Sequence, residues 1–141
     1  MLSQSSTSLT VAENSLAKLI GIAAPVATAY ASSALTVKVA ALPSNGTILL
    51  ADGVTPVGIG QSLTVTQLAA LKFRPALNSF GNNSSFGFTV SDPAGALVSA
   101  AATLTISAAT VPVVTSWAAL NVPQNTGSTP IGIPTPTDAS Y

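Results

Sequence analysis

Cysteine and histidine are both missing from the chain, and charged side chains make up only 6% of it. Without cysteine there is neither a disulfide nor a thiolate metal site, and the redox compartment stays open. Without histidine the usual base is gone, so a serine or threonine nucleophile would need a lysine to activate it. Lys38 and Lys72 fall in strand-like stretches, where a solvated outward position is expected. The four acidic residues are Glu13, Asp52, Asp92 and Asp138. Asp52 precedes a glycine and Asp92 a proline, which are ordinary turn positions, so no carboxylate pair of the glycosidase kind is expected. Gly58-Ile59-Gly60 does not lie between a strand and a long helix, which removes phosphate cradling. An enzyme is not expected, and no catalytic, cofactor-binding or metal-ligating residue is assigned. Four basic residues balance the four acids, leaving no footprint for nucleic acid or an anionic membrane surface.

Long apolar runs are also lacking. Residues 98–122 carry no charge, but Thr103, Thr105, Thr110, Pro112, Thr115 and Ser116 interrupt them. They read as a strand followed by a linker, not as a membrane-inserted helix. The opening MLSQSSTSLTV has no basic region followed by an apolar run, so no signal peptide is read there.

What the chain has instead is 48% apolar residues, enough for a core. Serine and threonine, 35 residues together, stand where charges usually do. The expected surface is neutral hydroxyl and amide, only weakly repelled by other copies of itself.

The chain also repeats. Residues 11–30 (VAENSLAKLIGIAAPVATAY) align without a gap on residues 122–141 (VPQNTGSTPIGIPTPTDASY), at an offset of 111. The identities are Val11/Val122, Asn14/Asn125, Ile20/Ile131, Gly21/Gly132, Ile22/Ile133, Pro25/Pro136 and Tyr30/Tyr141, and Leu9 matches Leu120. Unrelated segments of this composition would share roughly one or two such positions, so the match is an internal repeat. The expected organisation is one unit over 1–111, then a linker and the first-strand segment of a second, incomplete unit over 112–141. Trp117 reads as an aromatic anchor between neighbouring units.

Alternation marks the strands. Residues 8–12 and 19–22 are short pieces. In 34–42, Leu35, Val37, Val39 and Ala41 are expected on one face, with Thr36 and Lys38 on the other. Pro43-Ser44-Asn45-Gly46 reads as a tight turn leading to a partner strand at 47–51, since Asn-Gly tolerates positive φ. A weak strand is expected at 57–59. Residues 72–75 read as an edge strand because of Pro75. Residues 78–85 read as loop, and 86–91 as a strand placing Phe86 and Phe88 in the core. Asp92-Pro93-Ala94-Gly95 is a turn before the closing strand at 97–107. The one helical signal lies near 66–71, with Thr66 as cap and Leu68 and Leu71 on one face. The fold class expected is all-β, an antiparallel immunoglobulin-like β-sandwich with one short helical turn, pairing consecutive strands. An open barrel is the other arrangement considered. Asn45-Gly46-Thr47 and Asn83-Ser84-Ser85 match the glycosylation sequon, as chance allows in such a chain.

Several motifs stand in order: Leu42-Pro43-x-x-Gly46-Thr47, Ala51-Asp52-Gly53, Gln61-x-Leu63-Thr64 with Gln67-Leu68, Phe73-x-Pro75, and Phe86-x-Phe88-Thr89-Val90-x-Asp92-x-x-Gly95. Together, over about residues 8–107, they resemble the cadherin-like and proteoglycan-type tandem repeats of very large bacterial surface proteins. The resemblance implies an extracellular module strung end to end in adhesins, biofilm matrix or surface filaments. Its partners would be neighbouring repeats or other copies of itself, head to tail, and the other function it allows is an adhesin module for glycan or a host surface. Calcium-binding members are acidic after the first strand, because Ca²⁺ takes six to eight oxygen ligands. Here that stretch is Pro25-Val26-Ala27-Thr28-Ala29-Tyr30. Glu13, Asp92 and main-chain carbonyls would make at most one poor Ca²⁺ site, so no cofactor is expected.

Overall fold

The computed structural model describes residues 1–109, 123–125, 127, 128 and 130. The chain divides into two compact units, Met1–Ala108 and Ala109–Tyr141. Trp117, Asp138 and Tyr141, and the linker expected from 112 onward, lie outside the described residues apart from the few just given.

The first unit is all-β. Its strands are β1 (Leu2–Ser3), β2 (Thr7–Ala12), β3 (Lys18–Leu19), β4 (Val26–Ala27), β5 (Thr36–Ala41), β6 (Gly46–Leu49), β7 (Ser62–Leu63), β8 (Lys72–Pro75), β9 (Asn83–Ser91) and β10 (Leu97–Ser107), with a 3-10 turn at Ser32–Ala34 and a helix α1 (Val65–Ala69). They form a five-stranded sheet in the order β2-β10-β9-β5-β7, a three-stranded sheet β3-β8-β6, and the pair β1-β4. Alternation explains the long strands. Phe86, Phe88 and Val90 of β9, Val37 and Val39 of β5, and Ala102, Leu104 and Ile106 of β10 are buried. Phe73 of β8 and Ile48 of β6 join the same cluster, so the two larger sheets share one core. The rings of Phe86 and Phe88 stack with centroids 5.7 Å apart.

Strand order departs from the expected pairing of neighbours. Within these sheets only β9 and β10 are both consecutive and paired, across the Asp92 turn, where Gly95 N donates to Asp92 O at 3.0 Å. The antiparallel expectation also fails at one place: β2 runs parallel to β10, with Leu9 opposite Leu104 and Val11 opposite Ile106. The expected hairpin through Asn45-Gly46 does not form, for β5 pairs with β9 and β7 while β6 pairs with β8. The segment between them crosses from one sheet to the other. Gly46 has no positive φ. Its lack of a Cβ matters because one would stand 2.4 Å from Arg74 O and 2.5 Å from the Phe73 ring. Asn45, 4% exposed, ties the crossing down: its Nδ2 donates to Asn82 O at 3.1 Å and Leu104 O at 3.0 Å.

Smaller corrections have local causes. Ala41 is exposed because the β5–β9 register slips between Val39 and Ala41, a bulge that turns the strand end outward. Residues 57–59 form no strand; Leu49 bridges Pro56 instead, Val57 is buried and Ile59 is exposed. β8 is central, not an edge, and Pro75 is tolerated because β3 reaches only as far as Phe73. Loop 76–82 is shorter than expected, since Asn83 already pairs with Thr105. The helix begins one residue earlier and is capped by Thr64, not Thr66. Thr64 Oγ1 accepts from Gln67 N at 3.1 Å and Gln67 Oε1 accepts from Thr64 N at 2.9 Å, a reciprocal capping box. Leu68 and Leu71 are fully buried, which holds so short a helix in place.

Two substitutions check this account of the crossing. Gly46→Ala forces overlap with main chain and ring, and should lower stability by roughly 1–3 kcal/mol. Asn45→Ala strips the donor from two carbonyls and should lose about 1–3 kcal/mol. Each reads out as a lower urea midpoint with an unchanged slope.

Candidate functional site

Among the described residues there is no cluster of three or more metal-ligating side chains, and no helix is long and apolar enough to cross a membrane. Glu13 and Asp92 sit at opposite ends of β10, since Glu13 N donates to Ser107 O while Asp92 N donates to Ala96 O across the turn before that strand. Asp92 Oδ1 accepts from Ala94 N and Ala96 N, a turn role. Lys38 is exposed on β5. Tyr30 is half-buried against the core. Among the described residues Phe80, in loop 76–82, is an exposed ring that alternation could not reveal. A groove of about 570 Å³ runs beside α1, lined by Ser32, Thr36, Ser62, Thr64 and Gln67 among others, without a ring or a charge.

The distinctive site is the seat occupied by the first-strand segment, residues 8–30. β2 lies along β10 and places Val11, 1% exposed, in the core. Glu13 N donates to Ser107 O at 2.9 Å and Ser107 Oγ to Val11 O at 3.3 Å, closing the end of the ladder. The chain then turns through Asn14 at φ 58, a left-handed conformation that asparagine tolerates. Asn14 Oδ1 accepts from Asn78 N at 2.9 Å, fastening the turn to the loop opposite. β3 pairs Lys18 with Phe73, and Ile20 N donates to Leu71 O at 3.0 Å. Gly21 follows at φ +78, with nothing within 4 Å of where a Cβ would be, so backbone conformation and not space selects glycine. Ile20, Ile22 and Pro25 are buried. Burial of each large aliphatic side chain stabilises by roughly 1.5–3 kcal/mol, so the segment is held by several kcal/mol although its strands are short.

These residues give the internal repeat a physical meaning. The buried positions of 11–30 are Val11, Ile20, Ile22 and Pro25, and each recurs at the offset of 111. Both left-handed positions, Asn14 and Gly21, recur as Asn125 and Gly132. Tyr30 and Leu9, which pack against the core, recur as Tyr141 and Leu120. In the second unit Gln124 and Asn125 form a turn with Asn125 at φ 67, the counterpart of the Glu13–Asn14 turn. The repeat was visible in the sequence; that its identities are the seat's demands needed the structure.

The chain matches no protein-family model, no curated protein and no solved structure.

Among the described residues Asp52 carries the one distinct shift of acidity. Its carboxylate accepts first from the Thr55 hydroxyl, then from Val54 N and Thr55 N, and these bonds lower its pKa from 3.8 to about 2. A folded value below the unfolded one means that the turn's contribution is whole above the ordinary 3.8 and is lost as pH falls through about 2. An NMR titration of the Asp52 carboxyl should show a midpoint near 2, moving back toward 3.8 in Thr55→Val, which removes the largest cause.

Proposed function

We propose that the chain is a non-enzymatic structural repeat of an extracellular fibre, biofilm matrix or adhesin stalk. In this reading Met1–Ala108 is an immunoglobulin-type β-sandwich, and units join head to tail through the repeated first-strand segment.

The observation that carries the reading is the parallel pairing of β2 with β10. A first strand running the same way as the last means that the chain enters the unit at one end and leaves at the other. After that exit and a short linker the sequence begins the first-strand segment again, at the offset of 111. Together these are the connectivity of a tandem array, in which each unit contacts its neighbours in line.

Further support comes from the exit end. The Asn14 turn and loop 76–82 meet there, and they bear the exposed apolar side chains Leu16, Leu77 and Phe80. The neutral surface sets up little repulsion between units. The resemblance to tandem repeats of bacterial surface proteins supplies the extracellular setting. Calcium is left out of this reading, the joints being made by apolar and main-chain contacts.

Deleting residues 112–141 should leave a folded monomer and abolish fibres. Negative-stain electron microscopy of the two proteins makes the comparison, and equal fibres from both would sink the reading.

A further inference from the structure

We infer that residues 119–141 are a donor segment for the seat filled by residues 8–30, and that a second copy of this chain accepts the donor by giving up its own segment. The inference rests on the head-to-tail reading above and names how the joint forms.

Side-chain demands are met first. Each residue that the seat buries within 11–30, and each residue it holds in a left-handed conformation, is present again in the donor. Asn125 already has the conformation of Asn14. The substitutions fall mainly on exposed positions, such as Leu16 to Gly127, Lys18 to Thr129 and Val26 to Thr137. The half-buried Ala27 becomes Asp138, but it belongs to β4, whose only strand partner is β1. The docking part of the donor therefore runs from Leu120 to Pro136.

Main-chain demands are met as well, and here two prolines are decisive. Pro123 stands at the position of Ala12 and Pro130 at that of Leu19, both within strands of the seat. Glu13 N donates to β10, so by the alternation of a strand the Ala12 N–H points away from β10 to the free edge. Ile20 N donates to Leu71 O, so the Leu19 N–H likewise points away from β8. Neither proline removes a bond to the acceptor. Pro123 would leave the outer edge of a docked donor without an N–H there, which discourages a further strand from adding.

The occupant is a second copy because a donor that matches a seat on its own fold makes a contact that need not close, and such contacts propagate. The resident segment competes, so exchange requires it to leave. It is held through a six-residue ladder, a two-residue strand, its buried side chains and the Asn14–Asn78 bond.

Full-length variants test this. Ile131→Asp with Ile133→Asp spoils the donor and should give a folded monomer. Ile20→Asp with Ile22→Asp spoils the resident segment and should stay folded only as multimers, with a melting temperature that rises with protein concentration. All four substitutions together should abolish the cooperative melt in circular dichroism. Light scattering gives the masses. The inference is overturned if the Ile20/Ile22 variant unfolds as the fourfold variant does, if it folds as a monomer, or if the fourfold variant melts like the parent. Fibres from the Ile131/Ile133 variant would overturn the exchange and the joint through the repeated segment, while leaving a fibre-forming structural role standing. Rescue of the Ile20/Ile22 variant as short oligomers, with no fibres from the parent, would do the reverse.

Discussion

The pairing of β2 with β10 joins the first long strand of the unit to the last. Parallel strands cannot be linked by a tight turn, and here everything from Glu13 to Ala96 lies in the connection between them. Without β2, one side of β10 would expose its backbone groups from Ala102 to Ser107, and Val11 would not cover Ile106. The pair thus completes both the ladder and the core. It is also among the most non-local contacts in the fold.

Local patterning revealed the elements better than their partners. Phe86-x-Phe88-x-Val90 and Leu104-x-Ile106 alternate because one face of each strand meets the core, and such a period is written in neighbouring residues. The pairing of β5 with β9 depends on groups far apart in sequence, and nothing in Thr36–Ala41 announces it. Asn45-Gly46 shows the limit well. The dipeptide has the composition of a hairpin turn, yet the glycine is there to let the backbone approach Phe73 and Arg74, and the asparagine to satisfy carbonyls of distant segments. Thr66 was the expected cap, but Thr64 takes that place because Gln67, three residues after it, completes a capping box. Pro75 suggested an edge because a proline lacks a donor, but a central strand can hold one beyond the end of a shorter neighbour.

The candidate site was legible in a different way. Identities between two segments identified which residues mattered, though not what each was for. Burial separates Val11, Ile20, Ile22 and Pro25 from their variable neighbours, and backbone conformation separates Asn14 and Gly21. A repeat that kept only composition would not have retained both classes. Within the unit Asn45 serves the sheet crossing, Thr64 and Gln67 a helix cap, and Asp52 and Asp92 turns.

The parallel arrangement has a mechanical consequence. A pull between Thr7 and Ser107 draws β2 and β10 in opposite directions along their length. The hydrogen bonds of the ladder are then loaded together in shear, whereas in a hairpin pulled at its open end they are loaded singly, as in unzipping. The Glu13 amide and the Ser107 hydroxyl add to the ladder at the end where the load leaves the unit. A chain of such units would meet tension first on the strand pair best placed to resist it.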